Sequence, residues 1–244
     1  VRAHPRRPQR ATLGRSIRLF RLFLVEQTRP ADFYSALAAD AVRQVAGWVD
    51  LHEALVLDVG GGPGYFARAF QQAGARYVGV ELDIDGDLPA EVFAVCASGE
   101  ALPIRSQAVD VAYSSNVVEH LSRPWDMADE LVRVTKPGGT VFVSFTPWFS
   151  PWGGHETAPW HYLGGTYARR RYRRRTGQEP KNSFGRSLFD HRVGQALAWA
   201  RNHPDADLVA AFPRYHPWWA CWLVRVPVLR EVALWNLAMV LRKR

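Results

Sequence analysis

The chain has 244 residues, a net charge of +8 and only two cysteines, Cys96 and Cys221. That length suits one large α/β domain, and two distant cysteines argue against a disulfide framework or a structural zinc site. A reducing cytosol is the expected compartment. No run reaches the roughly 18 apolar residues of a membrane span. Residues 1–30 lack a clean apolar block followed by a small-residue cleavage site, so no signal peptide is expected.

The positive charge is concentrated in two places. Residues 1–30 hold eight arginines against the single acid Glu26, and "RRRYRRR" at 169–175 adds six more, which leaves the remainder net acidic. Such segments suit anionic partners, either phospholipid headgroups or nucleic acid.

In chain order, 1–10 is Pro/Arg-rich and expected to be disordered. Residues 12–27 predict a helix with Leu13, Ile17, Phe20 and Leu24 on one face, and 31–49 predict a second. The basic segment 1–30 is therefore set apart from a domain at 31–244. Strands are predicted at 54–59, 77–82, 92–96, 109–115 and 139–146, with helices at 64–74 and 126–135. "KPGG" at 136–139 turns the chain into the fifth strand. This alternation predicts an α/β fold with a doubly wound, mostly parallel sheet. Residues 147–186, rich in Trp, His, Gly and Arg with little periodicity, predict a lid insertion after strand five. A helix at 187–202, a strand at 206–212, an apolar segment at 217–235 and a last strand at 236–242 bring the sheet to seven strands.

The stretch "VLDVGGGPGYFARAF" (56–70) reads as strand, tight loop and helix. Gly60, Gly62 and Gly64 let the backbone turn sharply and approach a ligand. The G-x-G-x-G spacing departs from the dinucleotide pattern G-x-G-x-x-G. Asp58 would repel a pyrophosphate and attract an ammonium or sulfonium. Glu81, ending strand two, is placed to accept both hydroxyls of a ribose. A ribose joined to a cationic amino acid describes S-adenosylmethionine.

With "ASGEALPI" (97–104), "VDVAYSSNVVEHL" (109–121) and "LVRVTKPGGTVFVSF" (131–145) following in order, residues 54–146 resemble the class I S-adenosylmethionine-dependent methyltransferases, of Rossmann-like fold. The whole chain is similar to an actinobacterial branch of uncharacterised methyltransferases. The resemblance implies that Asp58, Gly60 and Gly62 bind the methionine end, that Glu81 holds the ribose and that Leu82 packs on adenine. Ser98, Gly99 and Glu100 would approach the adenine edge, with Ser98 standing where the family often has Asp. Asn116 would lie beneath the departing methyl.

A hydroxyl acceptor needs a base, whereas a carboxylate does not. His120, His155 and His161 are the candidates, with Tyr215 and His216 further possibilities. His155-Glu156…His161 is not H-E-x-x-H, so no metal is expected. "SSNVVEH" lacks the [DNS]-P-P-[YFW] clamp of nucleobase amino-methyltransferases. Eight of ten tryptophans follow position 147, which suits an amphipathic acceptor, and the expected substrate is a lipid-like or glycolipid-like molecule of the cell envelope. Peripheral contact with an anionic membrane at its inner face is expected from the two basic segments and from 217–235. An RNA methyltransferase and a non-catalytic cofactor-binding protein are the alternatives.

Overall fold

The structure is a computed structural model and describes residues 10–84, 89 and 92–244. Of the stretch 1–10 expected to be disordered, all but Arg10 lies outside the described residues.

The apolar runs become β1 (Leu55–Val59), β2 (Arg76–Glu81), β3 (Ala94–Cys96), β4 (Val109–Ser115), β5 (Thr135–Phe145), β6 (Ala206–Pro213) and β7 (Leu237–Lys243). They form one sheet in the order β3-β2-β1-β4-β5-β7-β6. Strands β1 to β5 pair in parallel, and β7 is antiparallel to both β5 and β6. Val56, Leu57, Val111, Ala112, Val141 and Phe142 are fully buried, because helices cover both faces of the sheet.

The helices are α1 (Leu13–Leu24), α2 (Pro30–Ala46), α3 (Tyr65–Gln72), α4 (Pro124–Val134), α5 (Gly165–Thr176), α6 (Val193–Asn202) and α7 (Pro227–Val232). One core joins α2 and α3 to the sheet through Val45, Phe70, Tyr113 and Phe142. Tyr113 stacks on its cross-strand neighbour Phe142 at 5.3 Å and meets the edge of Phe70 at 5.3 Å. Burying such a ring stabilises the fold by about 2–3 kcal/mol. The other core joins α4 and α6 through Met127, Leu131 and Leu197. The strand order reverses between β1 and β4, and a ligand crevice belongs beyond their carboxyl ends.

Three expectations are corrected. First, the apolar face read for α1 is divided: its Phe20 packs on Trp152 and Trp235, and the rest of that face does not turn inward. Ser16 and Leu19 are buried, while Leu13, Ile17 and Leu24 are exposed. The reason is Arg15, whose guanidinium pairs with buried Asp40 at 2.7 Å (Nε) and donates to the Arg214 carbonyl at 2.9 Å. That ion pair fixes the rotation of α1 and leaves an apolar stripe facing out.

Second, α6 begins at Val193, later than residue 187. The preceding residues are held extended: Phe189 N–H donates to the Glu119 carbonyl (2.9 Å) and the His191 ring bonds the Leu121 carbonyl (2.7 Å). The Glu231 carboxylate then caps α6, accepting from the amides of Val193 and Gly194 at 2.9 and 2.8 Å.

Third, the aperiodic 147–186 segment contains α5, whose arginine run hides any apolar stripe. Arg169 and Arg173 pair with Glu179, and Arg171 lies 3.9 Å over the Trp160 ring. The apolar segment 217–235 folds as a 3-10 turn, Trp218–Arg225, followed by α7, and Trp218, Trp219 and Trp222 are each about half exposed.

Candidate functional site

The glycine loop lies between β1 and α3. Gly60 has φ +79°, and a Cβ there would stand 2.3 Å from Val117 Cγ2. Only glycine lets this loop close onto the turn that follows β4. Gly60 N–H donates to the Val80 carbonyl at 2.9 Å, and Gly62 N–H donates to Glu81 Oε1 at 2.7 Å. The acid ending β2 therefore holds the loop in place. Gly64 caps α3 in the left-handed conformation, φ +86°.

Asp58 is fully buried. Its Oδ2 accepts from the Tyr77 hydroxyl at 2.8 Å, and its Oδ1 has no partner. Burial pushes the Asp58 carboxyl up to about 8; the Tyr77 hydroxyl opposes the rise and the Glu81 charge adds to it. Burial also raises Glu81, against the amides of Gly62 and Gly61. Neither acid forms an ion pair among the described residues. Two carboxyls converge on one glycine loop with no cation bonded to either, which is an environment that favours a cationic ligand.

Asn116 directly follows β4 with φ +58°, a conformation uncommon outside glycine. Its amide donates to the Ser144 carbonyl (2.8 Å), and its Oδ1 accepts from Asn236 Nδ2 (2.8 Å). Behind it lies Arg214, 1% exposed. The Arg214 guanidinium donates to Ser115 Oγ, to Ser144 Oγ at 2.6 Å and to the Tyr113 hydroxyl at 3.0 Å. One buried cation thus clamps the carboxyl ends of β4 and β5 at Ser115, the residue before Asn116, and at Ser144.

On the β2–β3 side, Leu82 is exposed. Ser98 Oγ accepts from the Glu100 amide (3.2 Å), Gly99 packs between Val59 and Met127, and Glu100 pairs with Arg123 at 3.0 Å. Residues 85–88, 90 and 91 of this side lie outside the described residues.

The candidate histidines separate into two groups. The turn Val118–His120 follows β4. Glu119 is buried; its Oε1 accepts from the Thr146 amide (3.1 Å), and its Oε2 has no partner. His120 Nδ1 lies 2.7 Å from the Ser187 carbonyl. A carbonyl only accepts, so Nδ1 carries the proton and Nε2 the lone pair of the neutral ring. The His155 ring lies 5.3 Å from that of His120, on a residue with φ +46°, and its Nε2 is buried without a partner. Burial pushes His155 down to about 4. His161 is near His155 but points elsewhere: it is fully buried against Trp148, with Nε2 3.0 Å from the Ser150 carbonyl. Beside Thr146, a small cavity of about 80 Å³ is lined by Phe20, Phe33, Trp152, Tyr215 and Trp235.

Residues 57–143 match the family model described as a methyltransferase domain. An uncharacterized methyltransferase of Mycobacteroides abscessus is 48% identical, over 97% of this chain and 96% of that one. The uncharacterized methyltransferase ML2584 of Mycobacterium leprae is 50% identical, over 97% and 92%. The chain belongs to this methyltransferase family. The fold is shared with an S-adenosylmethionine dependent methyltransferase from Mesorhizobium loti (TM-score 0.55, 18% identity, 83% of this chain and 96% of that one).

In this methyltransferase, Asp58, the loop glycines, Glu81 and Asn116 were all visible in the sequence, and the fold gathers them at the strand reversal. Arg214, Ser115, Ser144, Asn236 and Glu119 were missed. A signal for Arg214 existed: it directly follows the apolar strand "LVAAFP" and precedes the aromatic pair Tyr215-His216. Its partners sit on β4 and β5, and no local pattern announces that pairing.

Proposed function

We propose that this methyltransferase binds S-adenosylmethionine at the glycine loop and transfers its methyl group to a hydroxyl or carboxyl of an anionic, lipid-like acceptor. The observation that carries the first half is the unpartnered Oδ1 of buried Asp58, with Glu81 beside it and no cation bonded to either. When bound, the cofactor supplies an electrophilic methyl on a sulfonium. Asp58 meets the cationic amino-acid end. Glu81 accepts the ribose hydroxyls, and Leu82 offers an exposed apolar surface to the adenine. Asn116, held by Ser144 and Asn236, lines the methyl path. Methyl displacement needs nucleophile and methyl collinear and dry, and the Arg214 clamp next to Asn116 supplies rigidity at that point.

Two features support the acceptor class. The aromatic cavity beside Thr146 suits an apolar group. A second cavity, of about 640 Å³, lies between α1, α2, β6 and the Trp218–Arg225 turn. Arg10, Arg15, Arg18, Arg43, Arg214 and Arg225 line it, and Asp40 is its single acid. Arginine forks match phosphate and carboxylate geometry. Leu19 borders both cavities, so an acidic head and a short apolar group next to it have adjoining places. Exposed Leu13, Ile17 and Leu24 on α1, together with Trp219 and Trp222, support peripheral contact with an anionic membrane. No helix among the described residues is long and apolar enough to cross one.

The test is incubation with methyl-labelled cofactor and separate acidic-lipid, neutral-lipid and RNA extracts. Label is expected in the acidic-lipid fraction, with the protein co-floating on anionic vesicles at low salt. Label in RNA alone, or in no fraction, contradicts the proposal.

A further inference from the structure

The geometry points to a divalent metal site built from Glu119, His120 and His155, with Zn²⁺ as its ion. One ligand atom from each of the three residues can be chosen so that all lie within 4.8 Å of one another. Three donor atoms within 4.8 Å of one another are near enough to share one ion, whose zinc–nitrogen and zinc–oxygen bonds are about 2.0–2.2 Å.

Three further observations concern the individual atoms. Glu119 Oε2 and His155 Nε2 are buried polar atoms without any hydrogen-bond partner. An ion, an ordered water or a catalytic role is the usual physical account of such an atom. Two on facing residues of one cluster call for a single explanation. Glu119 is 1% exposed and makes no ion pair with an arginine or lysine among the described residues. A cation between the three groups would compensate a buried carboxylate that has no arginine or lysine partner among the described residues.

The surroundings match what metal ligands require. His120 presents Nδ1 to the Ser187 carbonyl at 2.7 Å, which fixes the tautomer and turns Nε2 away as a donor to metal. Glu119 Oε1 is held by the Thr146 amide, so the other oxygen is the free one. The three residues come from two segments brought together by fold alone: the turn after β4 and the loop after β5. The segment before α6 is tied to that turn by the Phe189–Glu119 backbone bond. The expectation of no metal rested on the spacing of His155, Glu156 and His161, and the structure uses neither Glu156 nor His161 here. Glu156 bonds Asn182, and His161 is packed against Trp148.

Two imidazoles and a carboxylate suit zinc, and three protein ligands leave a fourth position open. Among the common divalent ions, zinc binds such nitrogen–oxygen sites more tightly than manganese or iron. On the methyl-transfer reading above, an ion held by these three residues would leave a position that an acceptor oxygen could occupy. The site itself does not depend on that reading.

The experiment uses untagged full-length protein, stripped with a chelator and titrated with Zn²⁺ by calorimetry, with the visible spectrum of the Co²⁺ form as a second readout. About one equivalent is expected to bind, and the cobalt form should show the intense bands of a low-coordinate nitrogen–oxygen site. His155→Ala and His120→Asn should each weaken binding more than about 100-fold, with circular dichroism confirming the fold, while His161→Asn should bind as wild type. If one variant fails to fold, the other and the cobalt spectrum decide. No uptake of Zn²⁺ by the stripped protein, or equal uptake by His155→Ala and His120→Asn, overturns the site. Cofactor binding measured on the same stripped protein reports separately on the methyl-transfer reading.

Discussion

Asp58→Asn is expected to weaken S-adenosylmethionine binding by about 100-fold or more while making the free protein more stable. The loss follows from leaving the cationic end of the ligand without its buried counter-charge, which typically costs about 2–5 kcal/mol. The gain follows from the folded state itself. Asp58 is fully buried, with one oxygen unpartnered, and its carboxyl is pushed up to about 8 by burial. Between roughly pH 4 and pH 8 the unfolded carboxyl is ionised and the folded one is protonated. The folded state therefore binds the extra proton, and stability falls as pH rises through that window. Denaturant melts at pH 5 and pH 8 should show the wild type losing stability toward pH 8, with this part of the loss absent in the variant. Binding has the opposite dependence, because the ligand selects the ionised carboxyl. Affinity should rise with pH and level off only above about pH 8. An Asn variant that binds as well as wild type would remove Asp58 from the site.

Asp40→Asn is expected to destabilise the fold by about 3 kcal/mol or more, because breaking a buried pair strands its cation. Asp40 is 1% exposed and accepts from Arg15 Nε at 2.7 Å, from Arg15 Nη2 at 2.5 Å and from Gln44 at 2.9 Å. It is also the single carboxylate of a cavity lined by six arginines. Burial alone would raise its pKa, but the Arg15 bond and charge outweigh that and hold it below the ordinary value. The sign is thus the reverse of Asp58: Asp40 contributes stability above the ordinary carboxylate range, and that contribution is lost as pH falls through its lowered value. Because the variant leaves the arginines facing one another, added pyrophosphate should restore part of its stability and do less for the wild type. Thermal melts with and without pyrophosphate read both effects. Unchanged stability in the variant would mean that Asp40 does not anchor α1.

The framework was legible in the sequence because it is written in local patterns. Runs such as "VLDV" and "VDVAYSS" are apolar on both faces, and only a covered parallel sheet buries both. The loop at 60–64 was legible because glycine at three alternate positions has a backbone meaning. What escaped depends on contacts between distant segments. The inward face of α1 is set by one ion pair to α2, which outweighs the apolar stripe of Leu13, Ile17 and Leu24. Arg214 reads as a surface residue after a strand, yet hydroxyls of β4 and β5 bury it. Glu119 was passed over beside His120, since nothing near it in sequence indicates that His155 faces the same point.

The charge of the ligand that the glycine loop accepts decides the function of this chain. Calorimetry of the full-length protein with S-adenosylmethionine, its demethylated product and a nicotinamide dinucleotide addresses that directly. The predicted result is a single saturable site for each sulfur nucleoside and no heat from the dinucleotide. Tight dinucleotide binding, with neither sulfur nucleoside binding, would contradict it.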